Sequence, residues 1–271
     1  MRAALMLATA LAFSPTAVLA QNIYIEAGRL VDVQAGKVLM GQCISIAADT
    51  ITAVAPCGST PAGSTRLDWS AYTVLPGLID LHTHLADAGQ SADLALPIKT
   101  SPAATALLGA NNARLTLEAG FTAVRDVGTY RGLTDIALRD AINAGHVPGP
   151  RMFVAGKILS QTGGHGDHRG RADTCSCSSQ LGGTAVIADG VDQVRWAVRE
   201  NVRQGVDQIK IMAGGGVSSP GDKLNHPQYS LQEIETITEE AARVDRYVMA
   251  HVYADLGIRR AVEAGVRTIE H

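Results

Sequence analysis

The stretch LIDLHTHLAD, residues 78–87, holds the first residues whose types and spacing could do chemistry: His82 and His84, one residue apart at the end of an apolar run. On an extended segment, residues i and i+2 project to the same side. Two neutral imidazoles converging in this way suit a divalent metal such as zinc. An isolated HxH is more often a pair of satisfied core or loop histidines, so the pair needs support from elsewhere. His251 ends the apolar segment of VMAHVY and His271 ends RTIEH, which puts four of the eight histidines at the ends of strand-like segments. Lys210 is a sharper signal. In VDQIKIMA, Ile209 and Ile211 are expected to face covering helices, which turns Lys210 toward the interior. A bare ammonium there costs on the order of several kcal/mol unless it is paired. Two readings stay open: an ion pair with an inward carboxylate, or reaction of the amine with carbon dioxide to a carbamate anion able to bridge two metals.

Such residues need a scaffold that brings strand ends together. From residue 74 onward the sequence alternates strand and helix patterns. Strands are expected near 74–83, 121–127, 151–157, 207–212, 246–251 and 266–271, and helices over 104–119, 131–144, 190–204, 230–244 and 255–264. Three junctions repeat: TLEAGFTAVRDV, VRQGVDQIKIM and VEAGVRTIEH each place a glycine (Gly120, Gly205, Gly265) where a helix should end in the left-handed conformation. This alternation predicts an α/β fold with a parallel sheet covered by helices. The GGG at 214–216 is followed by no prompt helix, and no GxxxxGK[ST] occurs, so neither nucleotide fingerprint is present. A (β/α)8 TIM-type barrel is favoured over an open doubly wound sheet, because the polar residues fall at strand C-termini, where barrels build their sites. About six βα strands are present. Residues 22–75 read instead as short β-strands, part of a small β-sandwich.

Lys and Arg number 23 against 26 Asp and Glu, a balance with no footprint for nucleic acid or an anionic membrane. A small-molecule or dipeptide substrate is the expected partner, and the sequence carries no signal for or against a homo-oligomer. The first twenty residues, MRAALMLATALAFSPTAVLA, have a positive start at Arg2, an apolar run too short to span a bilayer, and small residues before Gln21. They predict a cleavable signal peptide and a periplasmic or secreted protein. The expected division is a leader over 1–20, part of a β-sandwich domain over 21–73, and a hydrolase barrel over 74–271. Export permits disulfides: Cys43 and Cys57 flank a hairpin-like stretch, while Cys175 and Cys177 form a CxC read as a loop staple. Three connectivities remain open.

HxH on the first strand, Lys on the fourth, and His on the fifth and sixth resemble the amidohydrolase superfamily with a binuclear metal centre. GGHGD at 163–167, the segment 188–220, AHVY at 250–253 and EAGVRTIEH at 263–271 resemble its imidazolonepropionase-related branch, which contains Xaa-Pro dipeptidases and ochratoxin-cleaving amidohydrolases. The resemblance covers essentially the whole chain after the leader. It implies two divalent metals, with zinc expected: His82 and His84 would hold one, His251 and His271 the other, and an N6-carboxylated Lys210 would bridge them. Imidazolonepropionases proper use a single metal and lack this lysine, so Lys210 favours the peptidase-like side. His165 and Tyr253 match residues that approach the scissile carbonyl; an ordinary loop histidine and simple wall packing are the plainer alternatives. The tyrosine following Gln228, Tyr229, and Arg169 are candidates for substrate contacts, with Arg171 as an alternative to Arg169.

The implied reaction is hydrolysis of a peptide or amide bond by a metal-activated hydroxide, as in a dipeptidase or carboxypeptidase-like enzyme. Other readings are a cyclic amide, lactone or ester hydrolase of the same superfamily, or a non-catalytic metal-binding protein. In this superfamily a strand-eight Asp serves as ligand and proton-transfer base, and residues 74–271 supply only six strands where a full barrel takes about 250 residues. The sequence is therefore expected to be a truncated form of a longer protein, inactive by itself.

Overall fold

The computed structural model describes residues 22–87, 100–129, 132–169, 185–217 and 221–271. The leader, Arg171 and the CxC at Cys175 and Cys177 lie outside the described residues. The chain divides into two compact units, Met1–Pro76 and Gly77–His271.

In the first unit, strands β1 (Asn22–Asp32), β2 (Lys37–Ala47), β3 (Thr50–Pro56) and β4 (Ser64–Val74) form one sheet in the order β3-β2-β1-β4. β1 and β2 are antiparallel, as are β2 and β3, while β4 runs parallel to β1. The Asp32 carboxylate accepts the N–H groups of Gln34 and Ala35, which reverses the chain between β1 and β2. A Cys43–Cys57 disulfide ties β2 to the end of β3, with Cα atoms 4.8 Å apart. The expected sandwich is here a single sheet among the described residues, and Met40, Ile51 and Tyr72 stay exposed on it. Strand propensity is local, whereas a second layer depends on pairing that no short window encodes.

The second unit is α/β with parallel strands. β5 (Leu78–Thr83), β6 (Phe121–Asp126) and β7 (Arg151–Val154) form one sheet. A second has the order β12-β11-β10-β8-β9, made from β8 (Leu159–Ser160), β9 (Val186–Ile187), β10 (Ile209–Met212), β11 (Val248–His251) and β12 (Thr268–Glu270). No closed barrel forms among the described residues. The third expected strand, 151–157, is interrupted after Val154: Gly156 adopts φ 65°, and the chain resumes as β8. The Asp207 N–H donates to the Val154 carbonyl at 2.8 Å and Thr129 bridges Lys157, so the two sheets adjoin at this break.

Helices α1 (Pro102–Glu118), α2 (Thr134–Asn143), α3 (Gly190–Arg203), α4 (Leu231–Ala242) and α5 (Asp255–Glu263) fill the crossovers. α1 starts on Ser101, whose side chain caps Ala104 N–H, with Pro102 in the first turn. α4 starts on a reciprocal box between Ser230 and Glu233. Gly120, Gly205 and Gly265 adopt φ values of 98°, 87° and 85°, the left-handed exits expected from the repeated junctions. On α3 the buried residues Val194, Ala197, Val198 and Asn201 follow helical spacing and cover the sheet. Ile209 and Ile211 are fully buried in this core. Slipping β10 by one residue would turn both isoleucines toward the cleft and drive the Lys210 amine into the apolar core, so the apolar pair fixes the direction of Lys210. Among the described residues no helix is long and apolar enough to cross a membrane.

Candidate metal centre

The strand ends of the second unit surround a cleft of about 360 Å3 lined by His82, His84, Lys210, His251 and His271. His82 and His84 stand at the end of β5, Lys210 within β10, His251 at the end of β11, and His271 directly after β12. The rings close on one another: His82 and His271 have centroids 4.5 Å apart, and His251 and His271 4.8 Å. His165 and Tyr253 also line the cleft, and Ile158, Met212 and Val217 form its apolar wall.

Each inner imidazole is oriented through one nitrogen. His84 Nδ1 lies 2.8 Å from the Gly128 carbonyl, and His82 Nδ1 lies 2.8 Å from Glu270 Oε2. In each case the ring Nδ1–H donates to that oxygen, which leaves Nε2 with its lone pair. The Gly215 backbone bonds to the His251 ring, and His251 Nε2 is buried without a partner. An orphaned imidazole nitrogen in a polar cleft is costly unless something binds it. Burial, reinforced by neighbouring cationic groups, lowers His251 to about 3 and His271 to about 4, and it also lowers His84. These rings are therefore neutral donors at neutral pH.

Lys210 is 2% exposed and has neither a hydrogen bond nor a salt bridge among the described residues. Burial pushes its ammonium down to about 8; the Glu270 charge opposes that shift and Arg125 adds to it. Glu270 moves the other way. Burial resists its ionisation, but hydrogen bonds from His82 and Thr268 and the Arg125 charge bring it to about 2.

The five candidate ligands are thus brought together, with His165 and Tyr253 beside them. The His165 ring stacks on His251 at 4.2 Å, and its backbone N–H donates to Gln228 Oε1 at 2.9 Å. Gly216 lies flat against that ring; a Cβ there would fall 1.9 Å from His165 Cε1. Neither substrate-contact candidate lines the cleft among the described residues. Tyr229 is buried in the core at 2% exposure, with its backbone at φ 56° and its N–H donated to Gln161 Oε1. Arg169 is engaged by Asp167 through its Nε and Nη2, each at 2.6 Å, and does not line the cleft. Three polar residues at or near the site escaped sequence reasoning: Gln228, Arg125 and Glu270. Arg125 carried a usable signal, since a cation inside the apolar strand FTAVRDV invites the same question as Lys210.

The amidohydrolase family model matches residues 73–271. The chain belongs to the amidohydrolase family. Among similar proteins, ochratoxinase of Aspergillus niger is 36% identical over 223 residues, covering 77% of this chain and 45% of that protein. A prolidase solved in complex with N-methylphosphonate-L-proline superposes with a TM-score of 0.84 at 39% identity, over 93% of this chain and 61% of that one. An Xaa-Pro dipeptidase with methionine bound in its active site gives 0.82 at 34% identity, with the same coverages. This amidohydrolase chain therefore spans between about half and two-thirds of the length of these relatives.

Proposed function

We propose that this chain carries most of the metal centre of an exported dipeptidase-like amidohydrolase that cleaves an amide bond next to an apolar residue. The observation that carries the reading is the convergence of His82, His84, His251 and His271 on a buried, unpaired Lys210. The donor set fits two divalent ions, with zinc favoured by an imidazole-rich site. No three of these imidazoles bring their nitrogens within 4.8 Å of one another. Two divalent ions would be held by His82 and His84 and by His251 and His271, with a carboxylated Lys210 as a further anionic ligand. In that carboxylation the neutral Nζ adds to carbon dioxide and one proton leaves to solvent, giving a carbamate. In the same reading the six parallel βα strands belong to an eight-stranded barrel.

Divalent metal, when bound, supplies Lewis-acid polarisation of the scissile carbonyl and makes water a nucleophile near neutral pH. The chain's own residues do the rest. His165 is kept neutral by burial, so its ring N–H can donate to the carbonyl oxygen without becoming an acid. Tyr253 presents its hydroxyl from the opposite strand end, seated against His251 and His271 at centroid distances of 5.1 and 5.6 Å. The wall of Ile158, Met212 and Val217 offers an apolar side chain a place to pack. Neighbours named as prolidase and Xaa-Pro dipeptidase support an amide substrate of dipeptide size. The N-terminal pattern of Arg2, a short apolar run and small residues before Gln21 supports export.

The test is hydrolysis of an Xaa-Xaa dipeptide library, together with N-acyl amino-acid amides, by the purified full-length protein. Cleavage of at least one amide class, abolished by chelator and restored by zinc, is expected. No cleavage of any amide, with lactones or esters turned over instead, would contradict it.

A further inference from the structure

Resting on that reading of the metal centre, we infer that Arg125 and Glu270 form a positioning relay that locks His82 in both ring and backbone and couples it to the strand carrying His271. Glu270 Oε2 receives His82 Nδ1 at 2.8 Å, while Oε1 receives Arg125 Nη2 at 2.6 Å and the Thr268 hydroxyl at 2.7 Å. Arg125 then turns back: its Nε donates to the Leu81 carbonyl at 2.6 Å, one peptide before His82. Its Nη1 reaches Thr268 Oγ1 at 3.2 Å. One guanidinium on β6 therefore holds the main chain of β5, and through Glu270 the ring on that same strand. Arg125 and Glu270 are 7% and 5% exposed, so water competes little for these bonds.

The other histidine of the pair shows what is particular here. His84 is oriented by a backbone carbonyl, Gly128, which carries no full charge. His82 is oriented by an ionised carboxylate, which fixes the Nδ1–H tautomer and makes Nε2 a stronger donor. β5 and β12 share no strand hydrogen bonds, yet these side chains tie them together. The residue before His271 is the same Glu270, so its placement also sets where β12 ends. The relay thus fixes one ligand from each of the two proposed ion positions.

The experiment uses the full-length zinc-loaded protein and two variants, Glu270→Gln and Arg125→Lys. Metal content is measured after dialysis against a graded series of chelator concentrations. The cobalt-substituted forms are compared by visible absorption, and kcat and KM are read separately. Glu270→Gln keeps a carbonyl acceptor for His82 but removes the charge. It is expected to lower metal affinity by about 10–100-fold and to shift the cobalt bands. KM should change little, since neither residue reaches the cleft wall. Arg125→Lys keeps the charge and loses the fork, with a smaller loss expected. If Glu270→Gln fails to fold, Thr268→Val removes only one donor to the same carboxylate, and a several-fold loss of affinity is expected of it. Unchanged metal affinity and unchanged cobalt spectra in the folded variants would overturn the relay. Wild-type protein that binds no metal would instead overturn the metal centre itself, and the two failures are distinguishable.

Discussion

Lys210 lines the cleft, with its two isoleucine neighbours buried in the core. Because burial brings the ammonium to about 8, a usable fraction is free amine near neutral pH. Lys210→Ala is expected to lower kcat/KM by more than about 100-fold, beyond the range seen for outer-sphere partners. Short carboxylic acids that fit the vacated volume should restore part of that activity; a variant with wild-type turnover would remove the carbamate from the account. Lys210 was legible in the sequence because a cation between two isoleucines in a strand is locally anomalous. The histidines were legible because four of them end strand patterns. Glu270 was not, since its role depends on His82, 188 positions away, and no local pattern encodes that pairing. Tyr229 is a related case: no local pattern encodes that its ring packs in the hydrophobic core.

At the scale of elements, loops deliver the residues that flank the ligands. Gly216 carries no side chain where the His165 ring lies. Gly216→Ala is expected to displace that ring from its stack on His251 and lower kcat by about 10–100-fold, the range for a lost transition-state donor or less. Metal content should be unchanged, and parallel loss of metal and turnover would contradict this. Helix α4 offers a control remote from the chemistry. Ser230→Ala removes one half of its capping box and should cost about 1 kcal/mol in denaturant unfolding, with kinetics unaltered. Helix and strand succession was readable from periodicity and from the three left-handed glycines. The break at Gly156 and the two short strands β8 and β9 were not, because two-residue strands leave no periodic signal.

For the molecule as a whole, the second unit buries carboxyls as well as a lysine. Burial raises Asp126 well above the usual carboxylate range and Asp135 to about 6, and each carboxylate accepts two backbone N–H groups. For a carboxyl whose folded pKa exceeds its unfolded value of 3.8, the stabilisation is complete below that value and is lost as pH rises through about 6. Over pH ~4 to ~6 Asp135 alone should cost chelator-treated protein up to about 1.4 kcal/mol per pH unit, while His251 and His271, held neutral below the ordinary imidazole range, contribute in the opposite sense. Asp135→Asn removes only the first contribution, so its stability in urea relative to wild type should rise across that range. The first unit's stability should instead depend on its disulfide: reduction of Cys43–Cys57, which closes a short loop, is expected to cost about 2–4 kcal/mol. The central claim is a two-ion centre built on Lys210, and metal analysis of purified full-length protein tests it most directly. Two divalent ions per chain are expected in the wild type, with substantial loss in Lys210→Ala. Less than about one ion per wild-type chain, or full occupancy in the variant, would contradict it.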